Sequence, residues 1–464
     1  MGVIVIFRAL GGLLTLFGAL MMVPALVALS ENSAVAQSYL FSMVITVFAG
    51  GGLLLSTRGR RRSGGLKSAI FLATLWWIVT PFFGALPFLL EGMTPINSYF
   101  EAVSALTTTG AWQSEALART SKPDMIWRAL MQWSGGLASL AIAAVIFIRP
   151  AFVGTDTLLP PFSRGDRNSY IRAMRNAMFM FFRVYVLLTV IVGILLFLSG
   201  IEAFNAIVMS LSAVASGGFI PFADGANGLS NISAGILLPV FFVSGANFVL
   251  ITRLFLTKET SLKDAETGVY GLIAFGVTLL LILYSLPVSI EFIPRYTFNA
   301  VSMLSTNGVF IGAPPPLIIC LVTVLIGGTA ISTAGGLKVL RWLVVMRRTR
   351  EELRKLSSPN AVFGQVNSQN ELGVWMHFLV FTLVLGILLV SITAGGHSFA
   401  LSATAAVGVL SNAGPILGLV DGGANGYAVF SGDFQKVMLI TGMILGRVEA
   451  VAALALFNRS FWRS

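Results

Sequence analysis

Long apolar runs alternate with short polar loops along almost the whole chain. Ten of these runs approach the roughly 20 residues that a helix needs to cross about 30 Å of hydrocarbon. The first two, residues 3–29 and 38–56, predict a helical hairpin. After it one order recurs four times: a spanning helix, a short amphipathic segment, and a second spanning helix. The first unit reads Lys67 to Leu90, Asn97 to Leu106 and Pro123 to Phe147; the second reads Met178 to Ser199, Phe204 to Ala215 and Ala234 to Leu256. The third reads Val269 to Ile290, Thr297 to Leu304 and Pro316 to Met346, and the fourth Gly373 to Ile392, Phe399 to Leu410 and Val437 to Phe457. Boundaries follow at 1–62 for the hairpin and 63–160, 161–262, 263–357 and 358–464 for the repeats. This predicts an all-α polytopic membrane protein, an N-terminal hairpin plus four helix/pore-helix/helix repeats around one pseudo-fourfold axis.

Each middle segment runs into nearly the same words: VSALTTTG (Val103 to Gly110), LSAVASGG (Leu211 to Gly218), VSMLSTNG (Val301 to Gly308) and GVLSNAGP (Gly408 to Pro415). Aligned, they place Gly110, Gly218, Gly308 and Gly414 in register behind small hydroxyl, amide or glycine residues. Segments of about ten residues are too short to span and read as re-entrant, and their irregular ends survive at membrane depth only inside protein or facing water. Small residues alone can serve close helix packing, but four in-register copies between spans point further. Carbonyl oxygens set in a ring replace the hydration shell of a monovalent cation, glycine lets them turn inward, and four helix carboxyl ends would aim their dipoles at it.

Composition narrows the class. Apolar residues make up 56% of 464 and charged residues 11%, which excludes a soluble multidomain protein. The net charge of +11 is not pooled in a nucleic-acid-binding domain. Arg58, Arg60, Arg61, Arg62 and Lys67 follow the second run, Arg164, Arg167, Arg172 and Arg175 the fourth, Lys258 and Lys263 the sixth, and Arg347, Arg348, Arg350, Arg354 and Lys355 the eighth. That alternation predicts cytoplasmic loops and cytoplasmic termini. The opposite loops carry Glu91, Glu115, Asp124, Glu202, Asp224, Glu291, Asp421 and Asp433, an acidic outer mouth that would concentrate cations. Ala9 to Leu29 is longer than a signal-peptide core, so a retained helix is expected there. Cys320 and the separated His377 and His397 offer neither a disulfide nor a metal or catalytic pair, and no enzyme is expected.

Several stretches resemble the bacterial Trk/Ktr potassium-uptake family, in particular its TrkH-type membrane subunits, over nearly the whole chain. They are TTTGA (Thr107 to Ala111), GGF (Gly217 to Phe219), VSMLSTNG, GGTAISTAGGLKVLR (Gly327 to Arg341), NAGPILG (Asn412 to Gly418), LGRVE (Leu445 to Glu449) and FWR (Phe461 to Arg463). The resemblance implies a selectivity filter made of Thr108, Thr109, Gly110 and Ala111; Ser216, Gly217, Gly218 and Phe219; Thr306, Asn307, Gly308 and Val309; and Asn412, Ala413, Gly414 and Pro415. Trp112, Asn307 and Ser216 depart from the family's usual residues. It further implies potassium as the transported ion with no organic cofactor, a homodimer with one pore per subunit, a cytosolic nucleotide-binding regulatory ring (TrkA-like), and an inner-membrane location.

Gly327, Gly328, Thr329, Ser332, Thr333, Gly335 and Gly336 crowd a segment that cannot hold a straight helix. In the resembled family this segment is an intramembrane gate below the filter; a kink that only serves packing is the alternative. Lys338 is followed by Val339, so this is no phosphate-binding loop. Arg447 lies inside the last apolar run, where a charge costs at least ~2.5 kcal/mol unless it meets water or a partner. By resemblance it is an electrostatic barrier beneath the filter; pairing with Glu449 is the alternative. The basic stretch Arg347 to Lys355 suits either a docking surface for the regulatory ring or contact with anionic lipid. A less selective K+/Na+ channel and an H+- or Na+-coupled secondary transporter remain open, the latter needing a carboxylate at depth such as Glu101 or Glu449.

Overall fold

The computed structural model describes residues 3–59, 65–113, 120–146, 170–222, 225–256, 264–287, 290–357, 368–421 and 426–448, and among them there is no strand. The hairpin is α1 (Val3–Leu20) and α2 (Met22–Ser30) folded against α3 (Val35–Ser56). The first repeat follows as α4 (Leu66–Gly84), a short continuation α5 (Leu86–Leu90), α6 (Pro95–Leu106) and α7 (Lys122–Ile146). The second holds α8 (Tyr170–Leu198), α9 (Ala203–Val214), α10 (Asn231–Gly245) and α11 (Phe248–Leu256). The third holds α12 (Ala265–Tyr284), α13 (Ile293–Leu304), α14 (Leu317–Ile326) and α15 (Val339–Ser357); the fourth holds α16 (Ser368–Thr393), α17 (Phe399–Leu410) and α18 (Asp433–Val448).

Polarity is inverted relative to a water-soluble protein. Phe48 is 81% exposed and Leu198 72%, whereas Thr108, Ser216, Thr306 and Asn412 are fully buried. An apolar rim around a polar centre is what a hydrocarbon surround selects. The hairpin seals one side through aromatic packing: Trp127 of α7 sits 5.2 Å from Phe17 and donates its indole N–H to the Gly84 carbonyl at 3.0 Å.

Six described helices are long and apolar enough to cross a bilayer, seven when a bent pair counts as one span. The shortfall from ten has local causes. Helix α7 has the length but carries Arg128 and Gln132, both buried. The third repeat's second span is divided between α14 and α15, and the last expected span runs past Val448, outside the described residues. The second repeat's second span, expected straight from Ala234 to Leu256, instead bends by 111° between α10 and α11. At the bend the Ser244 and Gly245 carbonyls accept the backbone N–H groups of Thr333 (3.1 Å) and Thr329 (2.9 Å), and Phe248 donates its own to the Ile331 carbonyl at 2.8 Å. Asn247 Oδ1 caps the new helix start by accepting from the Val249 N–H at 3.1 Å. The helix gives up its own ladder there to hold a distant loop.

Candidate ion-conducting site

Helices α6, α9, α13 and α17 are each twelve residues long, and each stops four residues before its glycine. One backbone device ends all four. Thr108, Ser216, Thr306 and Asn412 adopt left-handed φ values of 56°, 55°, 59° and 52°. The next residue then returns its N–H to the carbonyl five positions back: Thr109 to Ser104 (2.9 Å), Gly217 to Ser212 (2.9 Å), Asn307 to Ser302 (3.0 Å) and Ala413 to Gly408 (2.7 Å). This is the Schellman termination, which satisfies orphan carbonyls while swinging the chain off the helix axis. Gly110, Gly218 and Gly308 follow with φ of 70°, 65° and 66°. Gly414, expected to match them, instead opens a 3-10 turn, Gly414–Leu417.

The four segments close on one another. Gly110 abuts the Gly217 carbonyl, Gly218 abuts the Asn307 carbonyl, and Gly308 abuts Pro415 and Ile416. The Gly414 N–H completes the circuit by donating to the Thr109 carbonyl at 2.6 Å, beside an Asn412 Nδ2 donation to Thr109 Oγ1 at 2.9 Å. Ala111, Phe219, Val309 and Ala413 are buried around them. Asn307 Oδ1, Ser411 Oγ and Asn412 Oδ1 are buried with no hydrogen-bond partner among the described residues. Buried oxygens left unpaired are costly, and an ordered water is one partner they suit.

The segment 327–338 lies against this ring. Gly327 and Gly336 turn with φ of 72° and 76°, and Gly328 accepts from the Val339 N–H at 2.9 Å. Gly335 donates its N–H to Thr306 Oγ1 at 2.8 Å, and Thr333 Oγ1 donates to the Ser244 (3.0 Å) and Val214 (3.2 Å) carbonyls. Ser332 Oγ donates to the Thr329 carbonyl at 2.7 Å. Arg447 Nε donates to the Thr107 carbonyl at 2.6 Å and its Nη2 bonds Thr108 Oγ1, so the guanidinium touches the first segment directly. Lys338, Arg341, His377 and Arg447 line one small cavity with Ser332 and Gly335. His377 therefore belongs beside the site, which its apolar sequence context did not suggest.

Three further residues escaped sequence reasoning. Gln132 Nε2 donates to the Gly217 carbonyl at 3.2 Å; an amide inside an apolar helix was the available signal. Glu266 accepts the N–H groups of Ala330 (2.6 Å) and Leu340 (3.1 Å), pinning both ends of the loop, although its position at the start of α12 reads as an ordinary helix-terminal charge. Tyr427 donates its hydroxyl to the Gly414 carbonyl at 3.3 Å, from a stretch beyond the fourth segment that carries no repeated motif. Glu101 has both oxygens engaged, by Arg128 Nε at 2.8 Å and the Gln113 N–H at 2.7 Å. Glu449, the other carboxylate considered for a relay, lies outside the described residues, as do Glu115, Asp224, Lys258, Lys263 and the closing FWR. Trp112 packs edge-on against Phe219 at 5.2 Å.

Glu266→Ala should leave two buried N–H donors unpaired, at about 1–3 kcal/mol each. Hydrogen exchange across residues 327–340 is expected to accelerate, with Glu266→Gln, which keeps an acceptor, intermediate. Unchanged exchange would remove Glu266 from the loop's support.

Apolar spans enclosing one ring of short-helix ends define a multi-pass membrane transport protein rather than an enzyme. The chain is 30% identical to the Trk system potassium uptake protein TrkH of Salmonella typhimurium over an alignment 486 positions long, covering 99% of each. It is equally similar to TrkH of Escherichia coli K12 and 26% identical to the TrkG of that strain, again over 99% of both chains. The crystal structure of the potassium transporter TrkH from Vibrio parahaemolyticus superposes with a TM-score of 0.86 over all of both chains at 26% identity. No family model matches the chain. The chain belongs to the TrkH family of Trk potassium-uptake proteins.

Proposed function

We propose that this chain conducts potassium inward across a bacterial inner membrane through a pore whose narrowest part is the four-segment ring. The observation that carries this reading is the closed circuit of four like-built backbone turns, each ending a short helix and each touching the next. Each repeat contributes one quarter, and the quarters together strip and replace the ion's water. Both termini face the cytoplasm. Glu101 is already spent in an ion pair, which favours a channel-like path over a carboxylate relay.

The loop 327–338 is the gate and Arg447 its electrostatic component. Three cationic side chains, Lys338, Arg341 and Arg447, around one cavity oppose a cation leaving the ring. At an effective dielectric near 20, a unit charge about 4 Å away opposes another by up to ~4 kcal/mol. Arg447→Ala is therefore expected to raise rubidium uptake about tenfold in proteoliposomes, part of the barrier remaining with the other two cations. Unchanged or reduced uptake in monodisperse protein would contradict this role. Regulation is assigned to a cytosolic nucleotide-binding ring acting on a homodimer. Its docking surface is the basic α15, where Arg348 also pairs with Glu352 at 2.8 Å.

A further inference from the structure

The four quarters share one plan up to the glycine and then diverge. In the first three, the residue after the glycine donates its N–H to a serine hydroxyl seven positions back: Ala111 to Ser104 (2.7 Å), Phe219 to Ser212 (2.8 Å) and Val309 to Ser302 (2.8 Å). The clamp ties the outgoing chain to its own helix and keeps the glycine left-handed. In the fourth quarter the sequence removes both halves at once. Gly408 stands at the serine position, and Pro415, which has no N–H, stands at the donor position.

Gly414, unclamped, turns into the 3-10 conformation, with three consequences. Its N–H takes the Thr109 carbonyl of the neighbouring quarter at 2.6 Å. Its carbonyl accepts from the Tyr427 hydroxyl at 3.3 Å. Its successor's ring comes within 3.3, 2.9 and 3.4 Å of the positions that a Cβ on Gly110, Gly218 and Gly308 would take. A single side chain that touches three glycines of a four-part circuit occupies the space they enclose. Tyr427 is itself firmly placed: it is 1% exposed, lies 5.9 Å from the rings of both Phe100 and Phe430, and donates its N–H to the Trp112 carbonyl at 2.9 Å. Its hydroxyl sits 2.9 Å from where a Cβ at Gly408 would lie, in the place left by the absent serine.

We infer that the fourth quarter is a latch on the ring: Tyr427 is a positioning residue that holds the Gly414 carbonyl aside and so keeps Pro415 across the mouth. While the latch is set, the Thr109 carbonyl is drawn toward the Gly414 N–H and the Gly414 carbonyl toward the Tyr427 hydroxyl, which turns and weakens both oxygens as ligands for a cation. Release swings residues 414 and 415 outward and returns both. The inference rests on the reading of the ring as the conducting path.

The test is potassium, rubidium and sodium flux in proteoliposomes for the unaltered chain, Tyr427→Phe and Pro415→Ala, with monodispersity and thermal unfolding as fold controls. Tyr427→Phe deletes one oxygen and keeps the ring's packing, so it decides the matter if Pro415→Ala folds poorly. Each variant is expected to raise potassium and rubidium flux about threefold or more, the scale of one neutral hydrogen bond lost from the latched state. Each should also shift the potassium-to-sodium ratio in the same direction, and the double variant should exceed neither single by much, since both act on one latch. A merely structural Tyr427 would lower stability and leave that ratio alone. Unchanged or reduced flux in folded Tyr427→Phe overturns the latch. Absence of cation flux from the unaltered chain would instead count against the pore itself.

Discussion

Gly218→Ala is expected to cut potassium flux by at least tenfold and to erase discrimination against sodium. The residue sits at φ 65°, which costs an L-residue roughly 1–2 kcal/mol. The added methyl would also fall on the Asn307 carbonyl of the next quarter and press on Pro415, so relief requires moving ring backbone. Gly308→Ser should be milder. It carries the same left-handed strain at φ 66°, but its nearest obstacles are the Ile416 Cγ2 at 3.1 Å and the Ile416 N at 3.2 Å, contacts that a small local shift relieves. Rubidium uptake into liposomes, with sodium as competitor, ranks the two; equal effects would mean the contacts between quarters do not set the ring's geometry.

The ring was legible because its cause is local. A run of small residues ending in glycine, repeated four times, dictates where a helix stops and how the chain turns. Phe399–Leu410 has the expected limits, and the other short helices differ mainly at their first residues. Pro95 and Pro294, suited to a first helical turn, start α6 and α13 earlier than hydrophobic pattern alone suggests. The break at 327–338 was legible for the same reason, its paired glycines being incompatible with a straight span. The 111° bend at Gly245 was not, because Pro239 lies elsewhere in α10 and the bend comes from carbonyls recruited by Thr329 and Thr333 far along the chain. Glu266 and Gln132 escaped for a like reason, since their partners are backbone groups distant in sequence, 64 and 74 residues on for Glu266 and 85 for Gln132 in the next repeat. Aligning glycines also concealed the fourth quarter's departure, which depends on Gly408 and Pro415 on either side of Gly414.

Glu101→Ala is expected to destabilise the folded protein by about 3–5 kcal/mol, the range for removing one partner of a buried ion pair. Arg128 would be left charged at a site where its side chain is 2% exposed and that of Glu101 fully buried. Its remaining support includes the Asp124 carbonyl at 3.3 Å and the rings of Phe88 and Trp112, 4.6 and 5.9 Å from the guanidinium. The Gln113 N–H would also lose its acceptor, loosening the chain just beyond Ala111 and with it Trp112. A large drop in melting temperature in detergent should follow, with Glu101→Gln less affected and Arg128→Met added to Glu101→Ala recovering part of the loss. If Glu101 carried protons instead, Glu101→Gln would abolish a pH dependence of flux while leaving stability intact; the ion-pair geometry leads to the opposite pattern.

The most direct measurement is cation flux through the purified protein in liposomes, comparing potassium, rubidium, sodium and lithium with and without Gly308→Ser. Potassium and rubidium should pass well above lithium, and the single substitution in the ring should change that order. Equal passage of all four ions, or an order indifferent to Gly308, would contradict a ring of backbone oxygens as the potassium-selecting element.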